Sequence, residues 1–232
     1  MKFQKVTENS ARLIHGRWYD DACGTAFAME LIGERWSLMI VRELMFGPRR
    51  FSELRASLPG ISAKVLTERL AGLEQAGVVI REKLPPPAAV QVYGLSAWGQ
   101  AAEPSIQELG RWAAKHSGHD PTLPLSPVSL MLSMRTMFDP AKAGGMAATL
   151  GFGIGEEEFL ATLAERRLTI RRGHATEGEA VFRAPAASVM AGLLYAKVPV
   201  DQLERGAGLV IEGERALALR YAALFALPDK LV

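Results

Sequence analysis

Apolar positions along this 232-residue chain fall into three regimes. They recur at helical spacing up to Leu73, alternate between Val78 and Leu95, and mix both patterns beyond Pro127. In the first regime a helix is predicted over 25–32, ended by Gly33. A second, over 34–45, would place Trp36, Met39, Ile40 and Leu44 on one face until Gly47-Pro48 breaks it. Phe51 ahead of Ser52 reads as a staple residue before an N-cap, so the third helix runs 52–58 and stops at Pro59-Gly60. Ser62 caps a fourth, on which Leu66, Leu70 and Leu73 form the apolar stripe and Gly77 closes the end. At about 100° per residue, Lys64, Thr67, Glu68, Ala71 and Gln75 lie on the flank or the opposite side. Such a face suits a groove of DNA and equally an ordinary surface helix.

The alternating runs 78–83 and 90–95 read as two strands, and Pro85-Pro86-Pro87-Ala88-Ala89 between them is the hairpin tip. Two helices joined by a tight turn and followed by a hairpin give the order of a winged helix. Ser96 caps one more helix, with Ile106, Leu109, Trp112 and Ala113 on an apolar face after Pro104. That face needs a partner, either a second subunit or the domain itself. The Pro/Gly/Ser-rich stretch 117–127 is taken as a linker. Ser126-Pro127 then starts a helix to Phe138 that is apolar nearly all round. Strand-like runs follow at 147–152, 159–163, 168–172 and 180–183, then a small helix at 186–195 and a strand at 209–212. Gly213 opens a last helix carrying Leu217, Tyr221, Leu224 and Phe225. The fold class is therefore α+β: a winged helix-turn-helix domain, then a sheet covered by helices. The divisions are an arm (1–22), the winged helix (23–95), the dimerisation helix (96–116), the linker (117–127) and a second domain (128–232).

Charge sharpens this picture locally. The whole chain carries only +2, but Arg35 to Lys83 holds 9 basic against 5 acidic residues, which suits a polyanion. Cys23 is the single cysteine, so no internal disulfide can form and a reducing, cytoplasmic setting is expected. No apolar window is long enough to span a membrane, and no signal peptide is expected. His15, His116, His119 and His174 lack ligand spacing, so no metal is expected. No nucleophile–base pair or phosphate loop can be placed, so neither enzymatic activity nor a cofactor is expected.

Several short motifs keep both order and spacing. They include Gly33-Glu34-Arg35-Trp36-Ser37-Leu38, Arg42-Glu43-Leu44, Arg49-Arg50-Phe51-Ser52-Glu53-Leu54, Lys64-Val65-Leu66-Thr67-Glu68-Arg69-Leu70 and Gly77-Val78-Val79. Together with Cys23 near the first helix, residues 23–115 resemble the HxlR-type winged-helix transcriptional regulators of bacteria. The resemblance implies a homodimer whose recognition helices enter successive major grooves of double-stranded DNA. In that reading Ser62, Ala63, Lys64, Thr67, Glu68 and Arg69 supply helix contacts, and Arg49, Arg50 and Arg55 lie near the phosphate backbone. Arg69, close to the apolar stripe, has bracing of 52–58 as its alternative. Trp18, Ile106, Leu109 and Trp112 supply the dimer contact. Two departures stand out: Gly24 follows Cys23 where most members have proline, and the wing tip is three prolines. Lys83 and Gln91, set back on the strands, therefore become the expected wing contacts. Cys23 is either an inert small residue or a site of oxidation.

From Val128 onward, Leu150-Gly151-Phe152, Leu168 to Gly173 and Leu209 to Glu214 resemble, more loosely, a type 2 sterol-carrier domain. That resemblance implies a tunnel for an apolar ligand, with Met131, Met134, Met137, Phe138 and Phe152 as lining or simply as core. The expectation is a cytoplasmic, dimeric transcription regulator modulated by an apolar effector. The alternative is a carrier of lipids or hydrophobic small molecules whose winged helix docks another protein.

Overall fold

A computed structural model describes residues 19–85 and 90–231, and the chain divides into two units, Met1–Glu103 and Pro104–Val232. In the first unit α1 (Gly24–Ile32), α2 (Ser37–Glu43), α3 (Phe51–Ser57) and α4 (Ala63–Gln75) precede the hairpin β1 (Val79–Lys83) and β2 (Gln91–Leu95). A single-turn helix, α5 (Ala97–Gln100), follows. Leu66, Leu70 and Leu73 of α4 are buried with Ile40, Val41, Leu44, Leu54 and Leu58, so the expected stripe is the core-facing one. Each fully buried leucine of this kind stabilises the fold by roughly 1.5–3 kcal/mol.

The core face of α2 differs from the expected one. Trp36 stands before the helix with φ +79°, and Met39 is 39% exposed, while Ser37, Ile40, Val41 and Glu43 are buried. A helix of seven residues offers two adjacent apolar arcs, and packing selects the one holding Val41. The third helix also begins earlier: Arg50 is its N-cap and Phe51 its first residue, because Glu53 Oε2 accepts from the Arg50 N–H at 2.8 Å. Ser52 caps nothing.

β1 and β2 pair antiparallel from Val79↔Leu95 to Lys83↔Gln91. Residues 86–89 of the tip lie outside the described residues. A third chain segment joins this hairpin: Arg49 and Tyr93 exchange both main-chain hydrogen bonds, each 2.8 Å. Gly94 makes room for the approach, since a Cβ there would meet Pro48 Cγ at 3.3 Å.

The helix expected over 96–116 is two helices. α5 is capped by Ser96 and ends at Gln100, and α6 (Glu103–Ala114) restarts with Pro104 in its first turn, where a missing N–H costs nothing. Within the second unit, α7 (Pro127–Met137) has Ser126 as N-cap, its Oγ accepting from Ser129 N–H at 3.0 Å. The strands β3 (Ala148–Ile154), β4 (Glu157–Ala164), β5 (Arg167–Arg172), β6 (Ala180–Ala184) and β7 (Val210–Gly213) form one sheet in the order β5-β4-β3-β6-β7. Only β3 and β6 run parallel. Between β6 and β7 lie α8 (Ala187–Leu194) and α9 (Val200–Gly206), the latter unmarked by the apolar pattern, and α10 (Arg215–Ala222) follows β7. Leu224 and Phe225 fall past the end of α10, but both are buried, and Phe225 forms an isolated bridge with Phe138.

The register puts Phe152, Phe159 and Phe182 on one buried face. Phe152 stacks on Phe182 at 5.3 Å between centroids, and Tyr221 leans on Phe152 and on Phe225. The Tyr221 hydroxyl is fully buried and has no hydrogen-bond partner among the described residues. Burial pushes its pKa up; the same cause raises that of Tyr195, whose hydroxyl meets Ser133 Oγ at 2.8 Å. The last residues reach α6: Lys230 Nζ donates to the carbonyls of Ala114, His116 and His119, and the Leu231 N–H donates to Lys115.

Candidate nucleic-acid interface

α4 is set in place by its own ends. Ser62 Oγ accepts from the Val65 N–H at 3.2 Å, and Gly77 takes φ +72° just past the C-cap. With the leucine stripe buried, Ser62, Ala63, Lys64, Thr67 and Glu68 are all exposed, with Ala71 and Gln75 further along. The chemistry of this face is mixed. Lys64 is 86% exposed and only loosely paired with Glu68, at 4.0 Å. Thr67 Oγ1 donates back to the Ala63 carbonyl at 2.9 Å, which leaves its lone pairs and methyl group outward. A hydroxyl acceptor suits the amino groups of adenine or cytosine, the methyl suits thymine, and the ammonium suits guanine or phosphate.

The basic residues separate into two groups. Arg50, the N-cap of α3, and Arg55 within it are exposed, and the Arg50 guanidinium lies 3.9 Å from Glu53 in a half-exposed pair worth little. Arg49 is different: it is 7% exposed, and its Nη1 lies 3.4 Å from Glu43 Oε2. Glu43, fully buried, also takes Arg42 at 2.7 Å. Arg49 thus closes a buried charge cluster under the wing, where the doublet Arg49-Arg50 had suggested two phosphate contacts. Arg69 donates from Nε to the Arg35 carbonyl and meets Glu34 at 3.0 Å, so it braces the turn before α2 and not 52–58. Glu43 is the important residue that pattern reading passed over. Its signals were its place in the motif Arg42-Glu43-Leu44 and its position inside the largely apolar run 37–46.

Lys83 and Gln91 face each other in register at the open end of the wing, both exposed. Gln91 Nε2 donates to the Tyr93 hydroxyl at 2.9 Å, which orients its carbonyl oxygen as an acceptor. On α6, Leu109 and Trp112 are exposed, Trp112 to 74%, whereas Ile106 is buried in its own chain. Trp18 lies outside the described residues.

Cys23 is exposed at the N-cap of α1. The N–H groups of Thr25 and Ala26 and the Thr25 hydroxyl hold its thiol below the usual pKa. In the second unit Met131, Met134 and Phe152 are fully buried, and Met137 and Phe138 only partly so. A cavity of about 290 Å³ lies elsewhere, lined by Glu158 and Arg183 with Gly153, Gly155, Pro185 and Gly208. Among the described residues no group of three His, Cys, Asp or Glu is placed to hold a metal, and no helix is long and apolar enough to cross a membrane.

The HxlR-like helix-turn-helix family model matches residues 31–121. The HTH-type transcriptional regulator YodB of Bacillus subtilis (strain 168) is 42% identical over 86 residues, which is 37% of this chain and 77% of YodB. The uncharacterized HTH-type transcriptional regulator YvaP of the same strain is 40% identical over 88 residues, 38% of this chain and 82% of its own length. The solved structure of the reduced form of YodB is 37% identical, covering 43% of this chain and all of that one, with a TM-score of 0.39. Two relatives matched at this identity over more than two thirds of their own length settle the matter. This chain belongs to the HxlR-like helix-turn-helix family.

Proposed function

We propose that the protein is a transcription regulator that binds a roughly palindromic operator as a homodimer. The carrying observation is the outward face of α4, where Ser62, Ala63, Lys64, Thr67 and Glu68 stand exposed over a buried leucine stripe. The DNA-binding, regulatory character of its relatives supports this reading. α4 enters the major groove, Arg50 and Arg55 rest on phosphates, and Lys83 and Gln91 meet the flanking backbone. Arg49 and Arg69 hold the scaffold. Leu109 and Trp112 of α6 supply the subunit contact, and two recognition helices then lie about 34 Å apart on successive grooves. Oxidation of Cys23 forms no part of the proposal.

The triple variant Arg50→Ala, Arg55→Ala, Lys64→Ala tests this reading directly. All three side chains are exposed, so the fold should be untouched. Affinity for DNA upstream of the protein's own gene should fall roughly tenfold to a hundredfold at 0.1 M salt. The salt slope should shrink by about 0.9 for each lost phosphate contact. An unchanged affinity and slope would end the DNA reading.

The second unit is proposed to sense an apolar molecule, as the sterol-carrier resemblance and the sheet backed by helices suggest. Met131, Met134 and Phe152 are closed in the core, so such a ligand enters only by parting side chains there. Native mass spectrometry of the intact chain should reveal a co-purified apolar compound. If none is found, and added fatty acids leave the melting temperature unmoved, the sensor idea fails.

A further inference from the structure

A helix ends with four main-chain carbonyls lacking partners inside the helix. On α6 and the loose turns after it, four carbonyls are engaged by the far end of the chain. Lys230 Nζ takes Ala114 at 3.0 Å, His116 at 3.0 Å and His119 at 3.2 Å, and the Leu231 N–H takes Lys115 at 2.9 Å. An ammonium has three protons, so the full donor capacity of Lys230 goes to the last residue of α6 and the turns that follow it. Its positive charge also sits where the helix dipole is negative. At the preceding turn Arg111 donates to the carbonyl of Thr136, on α7, while paired with Glu108. The partition of the chain agrees: from Pro104 onward α6 belongs to the second unit. The same helix exposes Leu109 and Trp112, one turn or less from these clamps.

We propose that the C-terminal tail is a latch on α6, through which the second unit fixes the helix that carries the subunit contact. The coupling half of this inference rests on the proposed role of Leu109 and Trp112. Any event that withdraws the tail frees the end of α6, and the dimer weakens with it. Dimer strength in turn sets operator affinity, because two half-sites are held at once.

Three forms of the full chain test it: wild type, Lys230→Met, which keeps length and loses the donors, and Lys230→Arg, which keeps them. Amide hydrogen exchange over 112–119 should quicken about tenfold in Lys230→Met, with protection of β3 and β6 unchanged, and return toward wild type in Lys230→Arg. Sedimentation velocity should show a dimer dissociation constant raised by a similar factor in Lys230→Met alone. Unchanged exchange over 112–119 would overturn the latch. Faster exchange with unchanged self-association would overturn its coupling to assembly. A wild type that stays monomeric would sink the subunit role of α6 and the coupling with it, while the exchange result still decides the latch.

Discussion

Replacing Glu43 with alanine should lower the stability of the first unit by about 3–5 kcal/mol, the cost of breaking a buried ion pair by removing one member. The carboxylate is fully buried and joins Arg42 at 2.7 Å to Arg49 at 3.4 Å. Without it the Arg49 guanidinium, almost as buried, loses the carboxylate that lies 3.4 Å from its Nη1. Arg49 is also the residue whose main chain bonds Tyr93, so the damage reaches the wing as well as the helices. Glu43→Gln should do less harm, because it keeps the shape and can still accept hydrogen bonds. Urea denaturation of the full chain checks both variants. A loss below about 1 kcal/mol for Glu43→Ala would mean the cluster is not what holds this corner together.

The second large effect is expected at Gly151. It lies on β3, between β4 and β6, and a Cβ there would sit 1.9 Å from the Ala175 carbonyl oxygen of a short 3₁₀ turn, Ala175–Glu177. Nothing flexible stands in the way: all three nearest atoms are main chain. The turn would have to lift off the sheet, and Gly151→Ala should cost at least about 3 kcal/mol. Gly145→Ala is the control, since nothing lies within 4 Å of a Cβ at that position. If Gly151→Ala melts within a degree or two of wild type, the turn does not pack on β3 in this way.

Local rules were enough for some of this molecule. Ser62, the three leucines and Gly77 define α4 from its neighbours in sequence, and the structure keeps those bounds almost unchanged. Short apolar runs likewise placed β3 to β6: β3 and β6 are buried along nearly their whole length, as strands inside a covered sheet are. What failed depended on distant partners. Arg49 and Arg50 look alike in sequence, but only Arg49 meets an acid turned inward from α2. Met39 and Val41 are equally apolar, and the choice between them was made where α3 and α4 pack on α2. The all-round apolarity of α7 correctly announced burial, but burial does not distinguish a filled core from a lined tunnel. The four-carbonyl grip of Lys230 and Leu231 had no sequence signal, since the partners lie at opposite ends of the second unit.

The two-way pairing of Arg49 with Tyr93 pins the turn between α2 and α3 to the edge of the wing through a single bridge. On the proposed reading, wing and recognition helix are therefore two jaws of one calliper, joined through Arg49 and Tyr93 before DNA arrives. Docking then loses little freedom between the jaws, and the binding energy is left for contacts. The same stiffness makes the spacing within a half-site exacting. One extra base pair between the bases proposed to lie under α4 and the backbone proposed to lie under Lys83 would move them apart by about 3.4 Å and turn them by about 35°. A calliper of this kind cannot follow, so such an insertion should be rejected as firmly as a wrong base.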